Sequence, residues 1–319
     1  YTMSIKKYDV VVIGELNVDL ILNKTDVFPE IGKEILARQM NLVLGSSSAI
    51  FASNLSCLGA KVAFIGKTGA DLFGDFVISS LHSKTVDTTG IVRDRSCSTG
   101  ATVVVNFNED RAMITHPGAM ETFSGNEVNW EIIRQSRHLH ISSYFIQTSL
   151  QKNIGDIFRK AKQLGLTTSF DPQWDPAENW KIDLDQILPD IDLFFPNEAE
   201  ILKITRSSTV EDALQKIKPA AGIIVIKQGN RGSTIVQDGK AHLLPAFLNK
   251  EVVDAIGAGD SFNAGFVYRF LQDKPLEYCH RFGNMIAAVS TTAAGGTGAF
   301  SGRQEVFTVL KEKYGYEEN

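Results

Sequence analysis

The sequence predicts an α/β fold, a mostly parallel sheet with helices on its faces, accompanied by a small β-sheet lid. Three observations carry this. Short β-branched runs, VVVIG (10–14), KVAFIG (61–66), TTSFD (167–171), DLFFP (192–196) and GIIVIK (222–227), are apolar on both faces, as buried parallel strands are. Amphipathic stretches alternate with them: in TSLQKNIGDIFRKAKQL (148–164), Ile154, Phe158, Ala161 and Leu164 share one helical face. Two regions, 15–44 and 99–116, break that alternation and read as antiparallel strands, the second turning at NED (108–110). They are expected to project as the lid, with edge strands of the main sheet as the alternative. No repeat or linker interrupts residues 1–319, so one domain is expected.

Composition narrows the class. With 43% apolar and 22% charged residues over 319 positions, the chain has enough apolar side chains for a sizeable core. A net charge of -5 and the lack of a dense Lys/Arg run argue against nucleic acid as a partner. Cys57, Cys97 and Cys279 are far apart and odd in number, which suggests neither a disulfide framework nor a thiolate metal site. No stretch has the length of a membrane span and no signal-peptide pattern is seen, so a soluble, cytoplasmic protein is expected.

Two phosphate motifs fail on inspection. GKT (66–68) lacks the earlier P-loop glycine, because Lys61 stands there. GAGDSF (257–262) begins like a dinucleotide fingerprint but has Phe262 at the third glycine, which disfavours a nicotinamide or flavin oxidoreductase. Physically, small residues Gly257, Ala258 and Gly259 free the amides at the start of a helix over SFNAGFVYRFL, and such a terminus stabilises an anion. A carboxylate there would repel a resident phosphate, yet it suits a base that takes a proton from an attacking hydroxyl. Taken alone, Asp260 reads equally well as a helix cap after a tight turn.

The stretch VVDAIGAGDSFNAGF resembles the C-terminal signature of the ribokinase (PfkB) family of carbohydrate and nucleoside kinases. VIGELNVDLI, GKTGADLFG, HPGAM, SFDPQWDP, FFPNEAEIL, VIKQGNRGS and FGNMIAAVSTTAAGG stand in the family's order over nearly the whole chain. The resemblance implies a Rossmann-like, ribokinase-like three-layer fold whose lid often serves as a homodimer contact. It implies ATP, Mg²⁺ and a small sugar as ligands. Asp260 then corresponds to the catalytic base and the amides of Gly257, Ala258 and Gly259 to the anion hole. Asn197 and Glu200 match the N-x-x-E pair that helps organise Mg²⁺ and phosphate, through water. Lys227, Gly229 and Gly232 match the nucleotide loop, and Asn284 the adenine pocket. Asp254 and the Ile256 carbonyl match a monovalent-cation site, K⁺ in many members. Asp19 occupies the position that accepts two sugar hydroxyls, with Asn17, Gly45, Ser46 and Asn106 as further acceptor-site candidates.

The departures fall on the acceptor side. In GSSSAIFASNLSCLG, Ser46 replaces a second glycine and Ile50 stands at the expected sugar-binding Asn; Gln173 and Trp174 replace the usual Asn and the basic residue that follows. Ala255 is a milder change. The reading is therefore an ATP-dependent kinase acting on a primary hydroxyl of a fructose- or ribose-type sugar. The alternatives are a nucleoside kinase, for which Ile50, Phe51 and Phe107 offer apolar surface, a sugar-acid kinase, and a non-catalytic binding relative.

Overall fold

The computed structural model describes residues 6–25, 27–107, 110–217 and 222–317. Strands β1 (Tyr8–Ile13), β4 (Val62–Gly69), β5 (Asp87–Asp94), β8 (Ser136–Ser142), β9 (Thr167–Asp171), β10 (Leu193–Phe194), β11 (Ile223–Lys227), β12 (Ser233–Gln237) and β13 (Lys240–Leu244) form one sheet. Its order is β13-β12-β11-β10-β9-β8-β1-β4-β5. Every pair from β11 to β5 is parallel, and only the pairs β11–β12 and β12–β13 at one edge are antiparallel.

The two-sided apolar strands are explained by what each face buries. Successive side chains of β1 point to opposite faces, so Val10 and Val12 enter one core while Val11 and Ile13 enter another. The first core is closed by helices Ser47–Cys57, Ala258–Phe270, Leu276–Ser290 and Arg303–Tyr314, which contribute Phe51, Phe262, Phe266, Phe282 and Leu310. The second is closed by helices including Ile154–Gln163 and Val210–Ile217. Each fully buried Phe or Leu contributes about 1.5–3 kcal/mol relative to exposure, so this sandwich fixes the strand ends that carry the chemistry. The helix expected over 148–164 is broken: Thr148–Gln151 and Ile154–Gln163 are separate, with Asn153 between them. Ile154, Phe158 and Ala161 are buried as expected, whereas Leu164 is the half-buried C-cap.

Residues 15–44 and 99–116 supply a separate sheet of β2 (Asn17–Thr25), β3 (Ala37–Leu44), β6 (Gly100–Phe107) and β7 (Asp110–His116), in the order β3-β2-β6-β7. This removes the edge-strand alternative. Each hairpin is antiparallel, but β2 and β6 pair in parallel, which the sequence did not suggest. The reason is geometric: β1 and β5 run in the same direction, and β2 and β6 each leave the main sheet directly after them. Asn108 and Glu109 of the expected NED turn lie outside the described residues.

The GKTGADLFG segment clamps the base of this lid. Lys67 is buried and paired with Glu127 (2.7 Å) and Asp94 (3.5 Å). Asp71 caps helix Leu72–Ser83 through the Gly74 amide (2.8 Å) and also accepts from the Thr99 amide (2.8 Å) and hydroxyl (2.7 Å), one residue before β6.

Candidate active site

The predicted chemistry gathers at the carboxyl ends of β1, β9, β10 and β11, where open parallel sheets present their ligand crevice. Asp171 is the last residue of β9 and Lys227 the last of β11, so strand length alone places both side chains there. Across from them begins helix Ala258–Phe270. Its cap, Gly257, has φ +71°, a conformation only glycine adopts freely, and an added Cβ there would lie 2.8 Å from the Gly296 backbone.

Asp260 sits in the first turn of this helix and is 7% exposed. Gln173 Nε2 donates to Asp260 Oδ1 (3.0 Å) and to Asp171 Oδ2 (3.0 Å). Asp171 Oδ2 also accepts from Asn263 Nδ2 (2.6 Å) and from the Lys227 ammonium. Burial first, then repulsion from Asp171, holds the Asp260 carboxyl well above its ordinary range, with Lys227 pulling the other way. Burial opposes the Lys227 charge, but Asp171 and Glu200 outweigh it and raise the amine.

Of the three anion-hole amides, that of Ala258 turns back to the Ala255 carbonyl (3.3 Å). The amides of Gly257 and Gly259 make no hydrogen bond among the described residues. A Cβ at Gly259 would stand 3.6 Å from Lys227 Nζ, so that buried cation lies beneath the helix terminus and adds to its positive end.

Asn197 and Glu200 form a capping box on helix Glu198–Thr205. Asn197 Oδ1 accepts from the Glu200 amide (2.8 Å), and Glu200 accepts from the Asn197 amide (2.8 Å) and Nδ2 (2.7 Å). Glu200 is no solvated first-turn residue: it is 3% exposed, and burial and the Asp171 charge push it up to about 7 against Lys227.

The nucleotide-loop residues line up beside this group. Gly229 opens the short turn Gly229–Arg231 after β11, and Gly232 closes it with φ +104°. Asn284 accepts from the Ser233 hydroxyl (3.1 Å) and donates to the Leu244 carbonyl (3.5 Å), tying helix Leu276–Ser290 to that loop. Asp254 Oδ1 accepts from the Ile256 amide (2.9 Å) and Oδ2 from the Gly295 amide (2.8 Å), which pins the turn ahead of Gly257.

On the acceptor side, Asp19 and Asn17 lie on β2 against Gly45. A Cβ at Gly45 would fall 2.3 Å from Asp19 Oδ1, so only glycine lets the carboxylate rest there. Asn17 Nδ2 holds Asp19 Oδ1 (3.0 Å) and Thr102 Oγ1 (3.0 Å). Burial lifts Asp19 to about 6, with hydrogen bonds from Asn17 and Thr102 opposing and the charges of Glu15 and Asp254 adding to it. Ser46 caps helix Ser47–Cys57 through the Ala49 amide (3.0 Å), and its hydroxyl donates to the Glu15 carbonyl (2.5 Å). Asn106 stands apart: β6 pairs Thr102 with Asp19, and four residues further along a strand is about 13 Å. Its amide donates to Asn23 Oδ1 (2.7 Å) at the far end of the lid.

Ile50 is buried against the anion-hole backbone, where a Cβ at Gly296 would meet its Cδ1 at 2.4 Å. Phe51 faces the core and stacks on His140 (centroids 3.8 Å apart), and Phe107 packs edge-on against Phe28 (6.2 Å). Neither Ile50 nor Phe51 offers a free stacking face for a base. Sequence reasoning missed Asp171, Asn263 and Glu15. The first was readable as an acid at a strand's carboxyl end; the others depend on contacts between distant segments.

The pfkB family carbohydrate kinase profile matches residues 7–301. The chain belongs to the PfkB family of carbohydrate kinases. As such it is a sugar kinase, a phosphotransferase with an alcohol group as acceptor. This kinase is 31% identical over 239 residues to a protein described as an uncharacterized sugar kinase of Archaeoglobus fulgidus, covering 73% of this chain and 92% of that one. It is similar in structure to the ribokinase of Thermotoga maritima, with 27% identity and a TM-score of 0.81 over 96% of this chain and 100% of that one. The fold is also shared with Arabidopsis thaliana ribokinase complexed with ribose and ATP, at 23% identity and TM-score 0.80 over 95% of this chain and 99% of the other. Among the described residues no helix is long and apolar enough to cross a membrane.

Proposed function

We propose that this kinase transfers the γ-phosphoryl group of ATP to a primary hydroxyl of a small neutral sugar of the fructose or ribose type, within a single domain spanning residues 1–319. The observation that carries the reading is the placement of Asp260: a buried carboxylate in the first turn of a helix whose Gly257 and Gly259 amides have no partner among the described residues. Asp260 takes the hydroxyl proton, the acceptor oxygen forms its bond to phosphorus, and the bond to the bridging oxygen of ADP breaks. The amides and Lys227 stabilise the charge on the transferring group.

Glu200, with Asn197, fits a hydrated Mg²⁺, which is held by one or two carboxylates plus substrate phosphates rather than by a full protein cage. The metal would neutralise charge on the phosphates. The Gly229–Gly232 loop and Asn284 serve the nucleotide, and Asp254 with the Ile256 carbonyl serves a monovalent cation such as K⁺.

Asp19 accepts sugar hydroxyls, assisted by Asn17, and Gly45 leaves the room. The charges of Glu15 and Asp254 reach Asp19, and that of Glu15 reaches Asp260 as well, an array that disfavours a sugar acid. Closure of the lid over the acceptor excludes water that would otherwise hydrolyse ATP. Exposed Ile31, Leu36, Met40 and Ile114 on the lid suit a homodimer contact.

The test is ADP release from Mg·ATP across ketoses, pentoses, hexoses, sugar acids and nucleosides, with a no-acceptor baseline. Turnover with one neutral-sugar class over a low baseline is expected. Turnover confined to nucleosides or sugar acids, or acceptor-independent hydrolysis, would contradict the reading.

A further inference from the structure

We infer that Gln173 is the positioning residue for the Asp260 carboxylate, a role that rests on Asp260 being the base. A primary amide has two N–H bonds, and Gln173 directs its Nε2 at two carboxylates, Asp171 Oδ2 and Asp260 Oδ1, both at 3.0 Å. It therefore spans two acids that would otherwise face each other, and it is the donor they share: Lys227 and Asn263 bond to Asp171, and the Ser47 hydroxyl faces Asp260.

The amide stands on a fixed post. Gln173 has φ +60°, a left-handed conformation that disfavours a side chain with a Cβ by about 1–2 kcal/mol. The turn is nevertheless held on both sides. The Gln173 amide donates to Asp171 Oδ1 (3.3 Å), while the Asp171 and Pro172 carbonyls accept from Ser143 (3.1 Å) and Tyr144 (3.1 Å) at the end of β8. Strain retained where glycine would be easier points to a side chain with a task.

The charged and titratable groups facing Asp260 are Asp171 from β9, Lys227 from β11 and Glu15 after β1, with the Ser47 hydroxyl from the helix opposite. Against this array, a donor on Asp260 favours its ionised form and fixes the plane in which it meets the acceptor hydroxyl.

Two variants separate the amide from the backbone. Gln173→Met keeps the length and loses the donor; Gln173→Gly loses the donor and relaxes the left-handed turn. The probe is the titration of Asp260 followed by carbon-13 NMR in protein labelled at the aspartate carboxyl, with the resonance assigned from Asp260→Asn. The expected result is an Asp260 midpoint about one pH unit higher in both variants. With the acceptor found in the panel, kcat at pH 7 should fall about tenfold, recover toward alkaline pH, and leave KM for Mg·ATP within about twofold. An unchanged Asp260 midpoint in the folded variants would overturn the inference. So would a kcat loss that does not recover with pH. The midpoint does not depend on turnover, so full activity in Asp260→Asn would instead sink the base assignment while the titration still reports the contact.

Discussion

The two sides of the cleft are built by opposite means. On the phosphoryl side, Asp171, Asp260 and Glu200 are buried beside the mostly buried Lys227 and are bridged by Gln173, Asn263 and Asn197, on strand ends, helices and the turn after β9. On the acceptor side, a peripheral sheet carries the partly exposed carboxylate of Asp19 and many exposed apolar side chains. On the proposed reading, phosphoryl-transfer chemistry common to many acceptors belongs to the core, and the choice of acceptor to strands that reach the core only through residues such as Val18 and Leu44.

The largest effect should come from the core. Asp260→Asn is expected to lower kcat by about 10²–10⁴-fold with nucleotide affinity kept, as checked by steady-state rates beside calorimetric ATP binding. Lys227→Met leaves Asp171 buried without its cation and should cost about 3 kcal/mol in urea unfolding; a loss under about 1 kcal/mol would mean that Asn263 and Gln173 suffice.

On the acceptor side the sign reverses. The folded pKa of Asp19, about 6, lies above the unfolded value, so this group favours folding most below about pH 4 and loses that contribution as pH rises through about 6. Asp19→Asn should therefore be about 2 kcal/mol more stable than the parent at pH 8 and equal to it near pH 3.5, while losing acceptor turnover. Thermal melts across pH would show a pH-independent difference if the burial argument fails. The smallest effect is at the lid surface. Ile31→Ser should change stability by less than about 0.5 kcal/mol yet weaken self-association in sedimentation; unchanged sedimentation of a dimer would place the contact elsewhere.

The sheet was legible because its strands advertise burial on both faces, and Asp260 because its helix start is a local motif. What escaped reading was long-range. Ile50 looked like a missing sugar ligand and is also the wedge that packs Gly257 against Gly296. Gln173 looked like a departure from the family pattern, and its bond to Asp260 joins segments far apart in the chain. The parallel pairing of β2 with β6 follows from the direction of β1 and β5, which no local pattern encodes.

Chemistry and acceptor choice are proposed to lie on separate sides of the cleft. That separation is tested most directly by kcat/KM for two acceptors in the parent, Asp260→Asn and Asp19→Asn. The account predicts that Asp260→Asn lowers both values and keeps their ratio, while Asp19→Asn shifts the ratio by about tenfold or more. A ratio changed by Asp260→Asn and untouched by Asp19→Asn would contradict it.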